Sequence, residues 1–336
     1  MPKRDEKPDN IVITGGCGFI GVNLVRYLLE LDEDIRIRVL DNFSVGQPAD
    51  LERICTVKSM EPSQLSGWRD GVSLIEGDIL NEGLAGEVCR GAGGVVHLAA
   101  NADIIPSIED PRSDCMTNVI GTFNYLDACR TQSVPRFVLA SSSAPLGEQE
   151  PPIHEGLVPR PISPYGASKL CGEAYCSAFY GSYSTQAVCL RFSNVYGPYS
   201  RHKSSVVSKF IMQILSGEEL TIYGDGTQTR DFIYIDDLSS AVRASLTASG
   251  IGGEVFQIAT HGEHTVAEVA QRLNDLAMKY LGKSSLLTHE AERVGEVKRS
   301  YSDISKARRE LGWEPQWVFE KGLEETLKWF VNAHVT

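Results

Sequence analysis

The stretch IVITGGCGFIGVNLVRYLLEL, residues 11–31, joins an apolar run, a cluster of glycines and a second apolar segment. The run Ile11–Thr14 predicts a buried strand, and the apolar residues after the glycines recur at the spacing of an α-helix. The four glycines fit both G-x-G-x-x-G and G-x-x-G-x-x-G, which lets the backbone turn tightly and approach a pyrophosphate at the positive end of the helix. We therefore predict a dinucleotide-binding loop between a strand and a helix. Its candidate residues are Gly15, Gly16, Gly18, Phe19, Ile20 and Gly21.

The alternation of strand and helix continues beyond this unit. Further strands are predicted in IRIRVLDN (residues 35–42) and at Val72–Ile75, Gly94–Leu98, Arg136–Ala140 and Ala187–Phe192, with helical stretches such as Ser113–Arg130 between them. Repeated βαβ units imply a parallel, doubly wound sheet with right-handed crossovers. The predicted fold class is therefore α/β, with a Rossmann sheet.

An acidic residue, Asp41, ends the second predicted strand. A carboxylate at this point accepts hydrogen bonds from a ribose 2′-hydroxyl and repels a 2′-phosphate, so NAD is favoured over NADP as the cofactor. Asp78 ends another strand at the same edge and is predicted to cover the adenine side. The segment HLAA offers small residues where a cofactor would cross the sheet, and His97 within it is interpreted as a packed strand residue. The further candidate cofactor residues at these strand ends are Asn42, Ile79, Leu98, Ala99 and Ala100.

The composition of the chain narrows the classes of function. The 336 residues carry a formal net charge of −12, which argues against general binding of nucleic acid. The first ten residues are polar, so we expect neither a signal peptide nor a membrane span there. The eight cysteines form no C-x-x-C pair, which is typical of reduced thiols in a cytoplasmic protein, and we predict no metal site.

The segment PYGASK places Tyr165 and Lys169 at i and i+4, on one face of a predicted helix. A free tyrosine titrates near pH 10, so it needs help to act as a base at neutral pH. We expect the lysine ammonium to favour the phenolate, and a cationic nicotinamide to add to this effect. Lys169 can also hydrogen-bond the nicotinamide ribose.

Several motifs together resemble the extended short-chain dehydrogenase/reductase family of NAD-dependent nucleotide-sugar epimerases, of the UDP-glucose 4-epimerase type. They are TGGCGFIG, HLAA, SSS, YGASK, RFSNVYGP, GDGTQTRDFIYIDDL and RVGEV, in family order. The resemblance implies a Ser–Tyr–Lys active site in which Ser142, Tyr165 and Lys169 are catalytic. It places Asn118 beside the nicotinamide.

The resemblance also implies a smaller, discontinuous substrate domain. We expect residues 1–195, with a returning segment 231–260, to form the NAD-binding domain, and residues 196–230 and 261–336 to bind the nucleotide sugar. A diphosphate clamp is expected because guanidinium groups and amides bind phosphate. Its candidate residues are Asn194, Arg230 and Arg293, with Tyr223 as the aromatic for the uracil. The other candidate substrate-binding residues are Ser142, Ser143 and Arg201.

The residues after Ser142 favour one reaction over the others. Dehydratase relatives carry Asp-Glu immediately after the catalytic hydroxyl residue and decarboxylases carry a nearby Glu, whereas this chain has Ser143 and Ala144. Without that acid, elimination is disfavoured, and the simplest reaction is oxidation at C4, rotation of the keto-sugar and return of the hydride. We therefore predict a UDP-sugar 4-epimerase. A 4,6-dehydratase or a decarboxylase remains an alternative, and a non-enzymatic binding protein is disfavoured because the Tyr–Lys pair is present.

The sugar stays open at this stage. A small residue at Ser300, which corresponds to the size-selecting position of the family, leaves room for a 2-acetamido group. The basic triplet Arg201, His202 and Lys203 offers partners for a C6 carboxylate, which would indicate UDP-glucuronate. The chain has Pro145-Leu146-Gly147 where the family usually has Val-Tyr-Gly, and the sequence offers no reason for the proline. A homodimer through helices around Ser113–Arg130 and Ala167–Tyr180 is expected from the resemblance.

Overall fold

The computed structural model describes residues 8–203, 205–292 and 298–335. Fourteen strands are found in this part of the chain. They are β1 (Asn10–Thr14), β2 (Arg36–Asp41), β3 (Val57–Ser59), β4 (Gly71–Glu76), β5 (Gly94–His97), β6 (Phe137–Ser142), β7 (Ala187–Phe192), β8 (Asn194–Tyr196), β9 (Leu220–Tyr223), β10 (Thr229–Arg230), β11 (Phe232–Tyr234), β12 (Val255–Ile258), β13 (His264–Thr265) and β14 (Leu287–Glu290).

Eight of these strands form one wholly parallel sheet in the order β12-β7-β6-β5-β1-β2-β4-β3. The order reverses direction at β1, as in a doubly wound sheet, so the loops after β1 and β5 diverge and leave a crevice between them. The six strands predicted from the sequence all belong to this sheet, and the predicted α/β fold class is confirmed.

The helices of the described residues are α1 (Phe19–Leu31), α2 (Pro48–Glu52), α3 (Glu82–Cys89), α4 (Ile104–Glu109), α5 (Pro111–Cys115), α6 (Thr122–Thr131), α7 (Pro164–Tyr183), α8 (Val206–Ser216), α9 (Ile235–Thr247), α10 (Val266–Leu281) and α11 (Phe319–Val335). None of them is long and apolar enough to cross a bilayer. All eight cysteines are free thiols.

The alternation of side chains along the strands builds two hydrophobic cores, one on each face of the sheet. In β1, Ile11 and Ile13 pack into one core with α1, whereas Val12 packs into the other. Both faces of a parallel sheet are covered, which explains why the strands are nearly continuous apolar runs.

Three small two-stranded sheets lie outside the main one: β8 with β11 and β9 with β14, both parallel, and β10 with β13, antiparallel. Their strands β8 to β11 precede the edge strand β12 of the main sheet in the chain, and β13 and β14 follow it. The second half of the chain therefore contributes both to the main sheet and to the structure beside it.

The helix predicted over Ser113–Arg130 differs from the structure. A π-helical stretch, Met116–Gly121, separates α5 from α6. Such stretches are rare and frequently occur at functional sites. The apolar periodicity is the same on either side, so the sequence pattern reveals the helix but not the extra residue in its turn.

Candidate active site

The glycine loop forms a narrow cradle at the start of α1. Gly15 has a φ of +68°, and a Cβ there would lie 2.8 Å from the backbone of Ala99. A Cβ on Gly21 would lie 2.4 Å from the Cα of Gly16, so the loop folds closely onto the helix. Side chains at these positions would fill the space that the backbone leaves open. The cradle fits the pyrophosphate of a dinucleotide, which the N-terminal amide groups of α1 would meet.

Asp41 lies at the end of β2 and is tied to this loop. Its Oδ2 accepts a hydrogen bond from the amide of Cys17 at 2.9 Å, and its Oδ1 accepts one from the amide of Phe43 at 2.9 Å. Burial raises the pKa of Asp41, while these backbone donors act in the opposite direction. A carboxylate can accept about four hydrogen bonds, so both oxygens keep capacity for the hydroxyls of a ribose.

Asn42 and Asp78 meet beside Asp41, although they come from different loops. The Asn42 amide donates to Oδ2 of Asp78 at 3.1 Å, and Oδ1 of Asp78 accepts from the amide of Leu80 at 2.8 Å. Ile79 packs against Gly121 so closely that a Cβ there would lie 2.4 Å from its Cδ1. The loops after β2 and β4 thus form one polar rim at the adenosine end of the predicted cofactor site.

The segment after β5 lines the floor of the crevice. The amide of Ala99 donates to Oγ1 of Thr14 at 3.3 Å, and the amide of Leu98 donates to the Thr14 carbonyl at 3.1 Å. Leu98, Ala99 and Ala100 are partly accessible there. His97 is buried against the rings of Tyr125 and Phe137, and burial lowers its pKa to about 3. The imidazole is therefore neutral and packs in the strand.

Ser142, Tyr165 and Lys169 come together at the other side of the crevice. Ser142 ends β6, and α7 begins at Pro164 after Ser163, whose hydroxyl accepts from the amide of Gly166 at 3.1 Å. The Ser142 side chain lies next to the Tyr165 hydroxyl and acts to lower the pKa of that hydroxyl, against the larger effect of burial. The ammonium of Lys169 lies 5.9 Å from the centre of the Tyr165 ring and donates to the carbonyl of Ala140 at 3.0 Å.

The pKa values of Tyr165 and Lys169 are set mainly by burial rather than by the attraction between the two side chains. Burial raises the pKa of Tyr165 to about 12, and the neighbouring Ser142 side chain only partly offsets that rise. Burial also lowers the pKa of Lys169 to about 8, against the charges of Asp114 and Glu173. Removal from water disfavours both charged forms, and this effect exceeds the attraction between them. Tyr165 therefore needs further positive charge before it can act as a base near neutral pH.

Asn118 lies in the π-helical stretch, and its side chain is fully engaged with the protein. Its Nδ2 lies 2.9 Å from Oδ1 of Asp114, 3.0 Å from the carbonyl of Asn101 and 3.1 Å from Oγ of Ser168. Its Oδ1 accepts from the amide of Asn101 at 2.8 Å. Asn118 thus joins α7 to the loop after β5. These contacts fix the wall of the crevice at the end predicted for the nicotinamide.

Asp114 was missed by the sequence analysis. It is 1% exposed, and its Oδ2 has no hydrogen-bond partner among the described residues. Its charge raises the pKa values of both Lys169 and Tyr165. Because it lies one helical turn before Asn118, the spacing Asp-x-x-x-Asn was a usable signal.

A second polar group lies directly behind the first on α7 and was also missed. Glu173 accepts from Nε and Nη2 of Arg191 at 2.8 and 2.7 Å and from the hydroxyl of Ser141 at 2.6 Å. Glu173 and Arg191 are both buried. Since Glu173 follows Tyr165 and Lys169 at the same four-residue spacing, the helix periodicity could have indicated it.

The three consecutive serines therefore have different surroundings. The hydroxyl of Ser141 donates a hydrogen bond to Glu173. Oγ of Ser142 instead accepts a hydrogen bond from the amide of Ala144 at 3.2 Å and lies next to Tyr165. Ser143 precedes a 3₁₀ turn, Ala144–Leu146, and its carbonyl accepts from the amide of Leu146 at 3.0 Å.

Pro145 lies inside this turn and is buried. A proline suits that place because its φ is already fixed and it brings no amide that would need a partner. The turn packs tightly under α7, since a Cβ on Gly166 would lie 2.6 Å from the Ala144 carbonyl oxygen. The proline that the sequence left unexplained supports the turn between Ser142 and the start of α7.

The candidate nucleotide-binding residues lie in the small sheets. Tyr223 ends β9 and lines a cavity of about 440 Å³ together with Gln228 and Arg299. The ammonium of Lys209 lies 4.8 Å from the centre of the Tyr223 ring. The Asn194 amide donates to the Asp231 carbonyl at 3.1 Å, and Nη1 of Arg230 donates to the carbonyl of Thr229 at 2.7 Å.

The segment 298–302 runs beside Arg230. The Lys298 carbonyl accepts from the amide of Thr229 at 2.9 Å, and the amide of Ser302 lies 3.3 Å from Oδ2 of Asp231. Ser300, half-buried between these contacts, lies alongside β10. Arg293, the remaining candidate of the diphosphate clamp, lies outside the described residues.

The basic triplet does not converge on one point. Nη2 of Arg201 pairs with Oδ1 of Asp50 at 3.3 Å, and its guanidinium lies 5.1 Å from the centre of the Trp329 ring. Lys203 donates to the Val195 carbonyl at 2.9 Å. His202 is exposed. Arg201 is therefore turned toward α2 and α11, and its charge is already compensated by a carboxylate.

Comparison with known proteins gives one consistent family. Residues 11–259 match the model of the NAD dependent epimerase/dehydratase family. A putative UDP-glucose 4-epimerase of Methanocaldococcus jannaschii is 33% identical over 331 residues, which cover 97% of this chain and 100% of that protein. A UDP-glucuronate 4-epimerase of Thermodesulfobacterium geofontis is 32% identical, with 95% of each chain covered.

Solved structures agree with this result. A UDP-glucose 4-epimerase of Thermotoga maritima with UDP-glucose superposes with a TM-score of 0.85 at 32% identity, covering 97% of this chain and 99% of the other. A UDP-N-acetylglucosamine 4-epimerase from Methanobrevibacter ruminantium superposes with a TM-score of 0.85 at 30% identity, covering 99% and 100%. Chains of this similarity thus act on different UDP-sugars.

Proposed function

We propose, from the premise that this chain belongs to the NAD-dependent epimerase/dehydratase family, that it is a UDP-sugar 4-epimerase of the UDP-glucose/UDP-galactose type. The observation that carries the proposal is the placement of Tyr165 beside Ser142, which offsets part of the rise in the pKa of the tyrosine that burial causes, with the ammonium of Lys169 5.9 Å from the centre of the Tyr165 ring. Behind this pair lies the ammonium of Lys169. Serine and alanine, rather than acids, follow Ser142 in the chain.

NAD is the cofactor of this family, and the glycine cradle and Asp41 fit its pyrophosphate and its ribose. When bound, NAD would supply the acceptor, and later the donor, of the hydride at C4 of the sugar. Tyr165 accepts the proton of the C4 hydroxyl as the ketone forms, and it gives the proton back when the hydride returns. Ser142 hydrogen-bonds the same oxygen. Lys169 holds positive charge next to Tyr165 and donates to the nicotinamide ribose.

Epimerisation then requires the 4-keto sugar to present its other face. The diphosphate stays bound by Asn194, Arg230 and Arg293 while the sugar turns. Ser143 and Ala144 bring no carboxyl group to the two positions after Ser142, where dehydratases carry their acids. This favours return of the hydride over elimination, and the 4,6-dehydratase and the decarboxylase remain the alternatives to be tested.

We propose that the sugar is a neutral hexose, with the N-acetylhexosamine also accepted. The small side chain of Ser300 beside β10 leaves space for a 2-acetamido group. The pairing of Arg201 with Asp50 argues against this residue as the partner of a C6 carboxylate, so UDP-glucuronate is the less favoured substrate.

The domain boundaries and the assembly are also proposals. Residues 1–195 and 231–260 would form the NAD-binding domain, supported by the pairing of β12 with β7, and residues 196–230 and 261–336 the substrate domain. A homodimer is supported by apolar side chains that are exposed on the adjoining π-helical stretch and α7. They are Met116, Ile120, Tyr175, Tyr180 and Tyr183.

An epimerisation assay read by NMR tests the proposed reaction. UDP-glucose, UDP-N-acetylglucosamine and UDP-glucuronate are each incubated with the NAD-loaded protein, and we expect the C4 epimer of the first two without net formation of NADH. A 4-keto-6-deoxy product would assign the protein to the dehydratases, and released CO2 would assign it to the decarboxylases. A product from UDP-glucuronate alone would contradict the proposed sugar.

A further inference from the structure

The loop after β8, described over residues 197–203, lies against α1. The buried side chain of Asn23, on α1, donates to the Phe19 carbonyl at 2.8 Å and to the Pro198 carbonyl at 2.9 Å. This contact joins two segments that are 175 residues apart in the chain. The loop is therefore held at the helix end where the pyrophosphate cradle opens.

Lys203, in this loop, lies beside the first residue of α1, next to the cradle. Its ammonium lies 5.4 Å from the centre of the ring of Phe19, the first residue of α1, while one of its hydrogens goes to the Val195 carbonyl. An ammonium has three donors, so the carbonyl does not exhaust its capacity.

The side chains of the glycine loop are neutral and acidic side chains lie close to it, so a cation beside the loop would favour the binding of an anion. The glycine loop, residues 15–21, contains no lysine or arginine, and Asp41 and Asp50 add negative charge close to Cys17. Arg201 compensates Asp50. The glycine loop itself therefore offers a diphosphate its backbone amides but no cationic side chain.

We propose that Lys203 binds a diphosphate at the N-terminus of α1, where it supplies the cation that the glycine loop lacks. Its position over Phe19 favours the pyrophosphate of the cofactor as the source. The diphosphate of the nucleotide sugar carries the same chemistry and is distinguished by the experiment. The inference rests on the NAD and UDP-sugar sites of the proposed function and extends them to a residue of the basic triplet.

The surroundings of Lys203 agree with a site that is completed by an anion. Burial lowers its pKa to about 8, against the charge of Asp103, which lies on the loop before α4. A phosphate beside the ammonium would offset that burial and favour the charged form.

Binding measurements on Lys203→Gln test the inference. Glutamine keeps a donor for the Val195 carbonyl but removes the charge, Lys203→Arg keeps the charge, and Lys58→Gln is the matched control. Lys58 also donates to a carbonyl, that of Asp70 at 2.9 Å, and lies on β3 at the far edge of the sheet. NAD affinity is measured on each variant after removal of bound nucleotide, and UDP affinity is measured on the NAD-loaded proteins by calorimetry.

We expect Lys203→Gln to weaken NAD binding by about tenfold or more, the size of one lost charge-assisted hydrogen bond, with Lys203→Arg and Lys58→Gln close to wild type. Weakened UDP binding with unchanged NAD binding would identify the nucleotide sugar as the source of the diphosphate. Unchanged affinity for both ligands would overturn the inference. These affinities do not depend on turnover, so they are separate from the outcome of the epimerisation assay.

A measurement on the wild-type chain covers the case in which the variant fails to fold. Lys203 is acetylated with acetic anhydride in the presence and absence of NAD or UDP, and the modified fraction is read by mass spectrometry with Lys58 as the internal reference. Protection of Lys203 by either ligand supports the inference, and equal modification with and without both ligands contradicts it.

Discussion

One face of α7 carries two polar groups, which differ in their surroundings and in their hydrogen-bond partners. Tyr165 lies beside Ser142 and is partly accessible in the crevice, with the buried Lys169 behind it. Glu173 follows at the same spacing and meets Arg191 and Ser141 in the interior. The first group leaves hydrogen-bonding capacity for a substrate, whereas the carboxylate of the second already holds a bidentate guanidinium and a hydroxyl. The comparison teaches that helical spacing brings polar residues to one face, and that the partners each side chain finds there distinguish one group from the other.

The largest expected effect is that of Tyr165→Phe on turnover. Loss of the hydroxyl that moves the C4 proton should lower kcat by about 10²- to 10⁴-fold while NAD binding and thermal stability stay near wild type. Tyr183→Phe, at the exposed end of the same helix, is the control and should keep full activity. Near-normal turnover of Tyr165→Phe would show that Tyr165 does not transfer the proton.

Glu173→Gln should act on stability before it acts on turnover. It leaves the buried guanidinium of Arg191 without its counter-charge, and breaking such a pair costs about 3–5 kcal/mol. The free energy of unfolding in urea measures this loss. Glu87→Gln breaks the exposed pair with Arg90 and should cost about 1 kcal/mol or less. Equal losses in the two variants would contradict the supporting role of the interior group.

The neighbouring serines sharpen the comparison at the level of single hydroxyls. Ser142→Ala should lower kcat by about 10²-fold, because the sugar oxygen loses a hydrogen bond and Tyr165 loses its neighbouring hydroxyl. Ser141→Ala should instead lower the free energy of unfolding by about 1–3 kcal/mol, because an oxygen of Glu173 loses its donor. We measure kcat and the free energy of unfolding in urea for both variants. A larger loss of kcat in Ser141→Ala and a larger loss of stability in Ser142→Ala would contradict the assignment.

The smallest expected effect is a shift of the pH profile in Asp114→Asn. The charge of Asp114 raises the pKa values of Tyr165 and Lys169, so its removal lowers both. Since the base form of Tyr165 and the charged form of Lys169 are both needed, the two limbs of kcat/KM should move to lower pH by about one unit or less. Asp127→Asn, on the exposed surface of α6, should leave the profile in place. A shift to higher pH would contradict the electrostatic role of Asp114.

Local patterns were sufficient to predict the sheet, the glycine loop and the spacing of Tyr165 and Lys169. Each of these depends on residues that are close in the chain. Glu173 lies on α7, whereas its partner Arg191 lies on β7, 18 residues farther along the chain, so no short motif contains the pair. Arg201 and Lys203 are neighbours in the sequence, yet one binds Asp50 and the other reaches Phe19, because the loop follows its contacts with α1 rather than a regular repeat.

The raised pKa of Tyr165 has a related explanation. A sequence shows that a lysine lies one turn away, but it does not show how much water surrounds the pair. The depth of both side chains is set by α5, the π-helical stretch and β6 together. Desolvation is thus a property of the assembled fold, and it changed the direction of the pKa shift that spacing alone suggested.

The pairing of β12 with β7 has a consequence for dividing the protein into working parts. A fragment that stops after residue 195 would contain the glycine loop, Tyr165 and Lys169, but it would leave β7 at the border of the sheet without its outer neighbour. All six residues of β7 are buried in the complete chain, so the fragment would present an uncovered apolar strand to other molecules and would be prone to aggregate. Exchange of the sugar-binding half between relatives therefore has to preserve the segment that returns to this border.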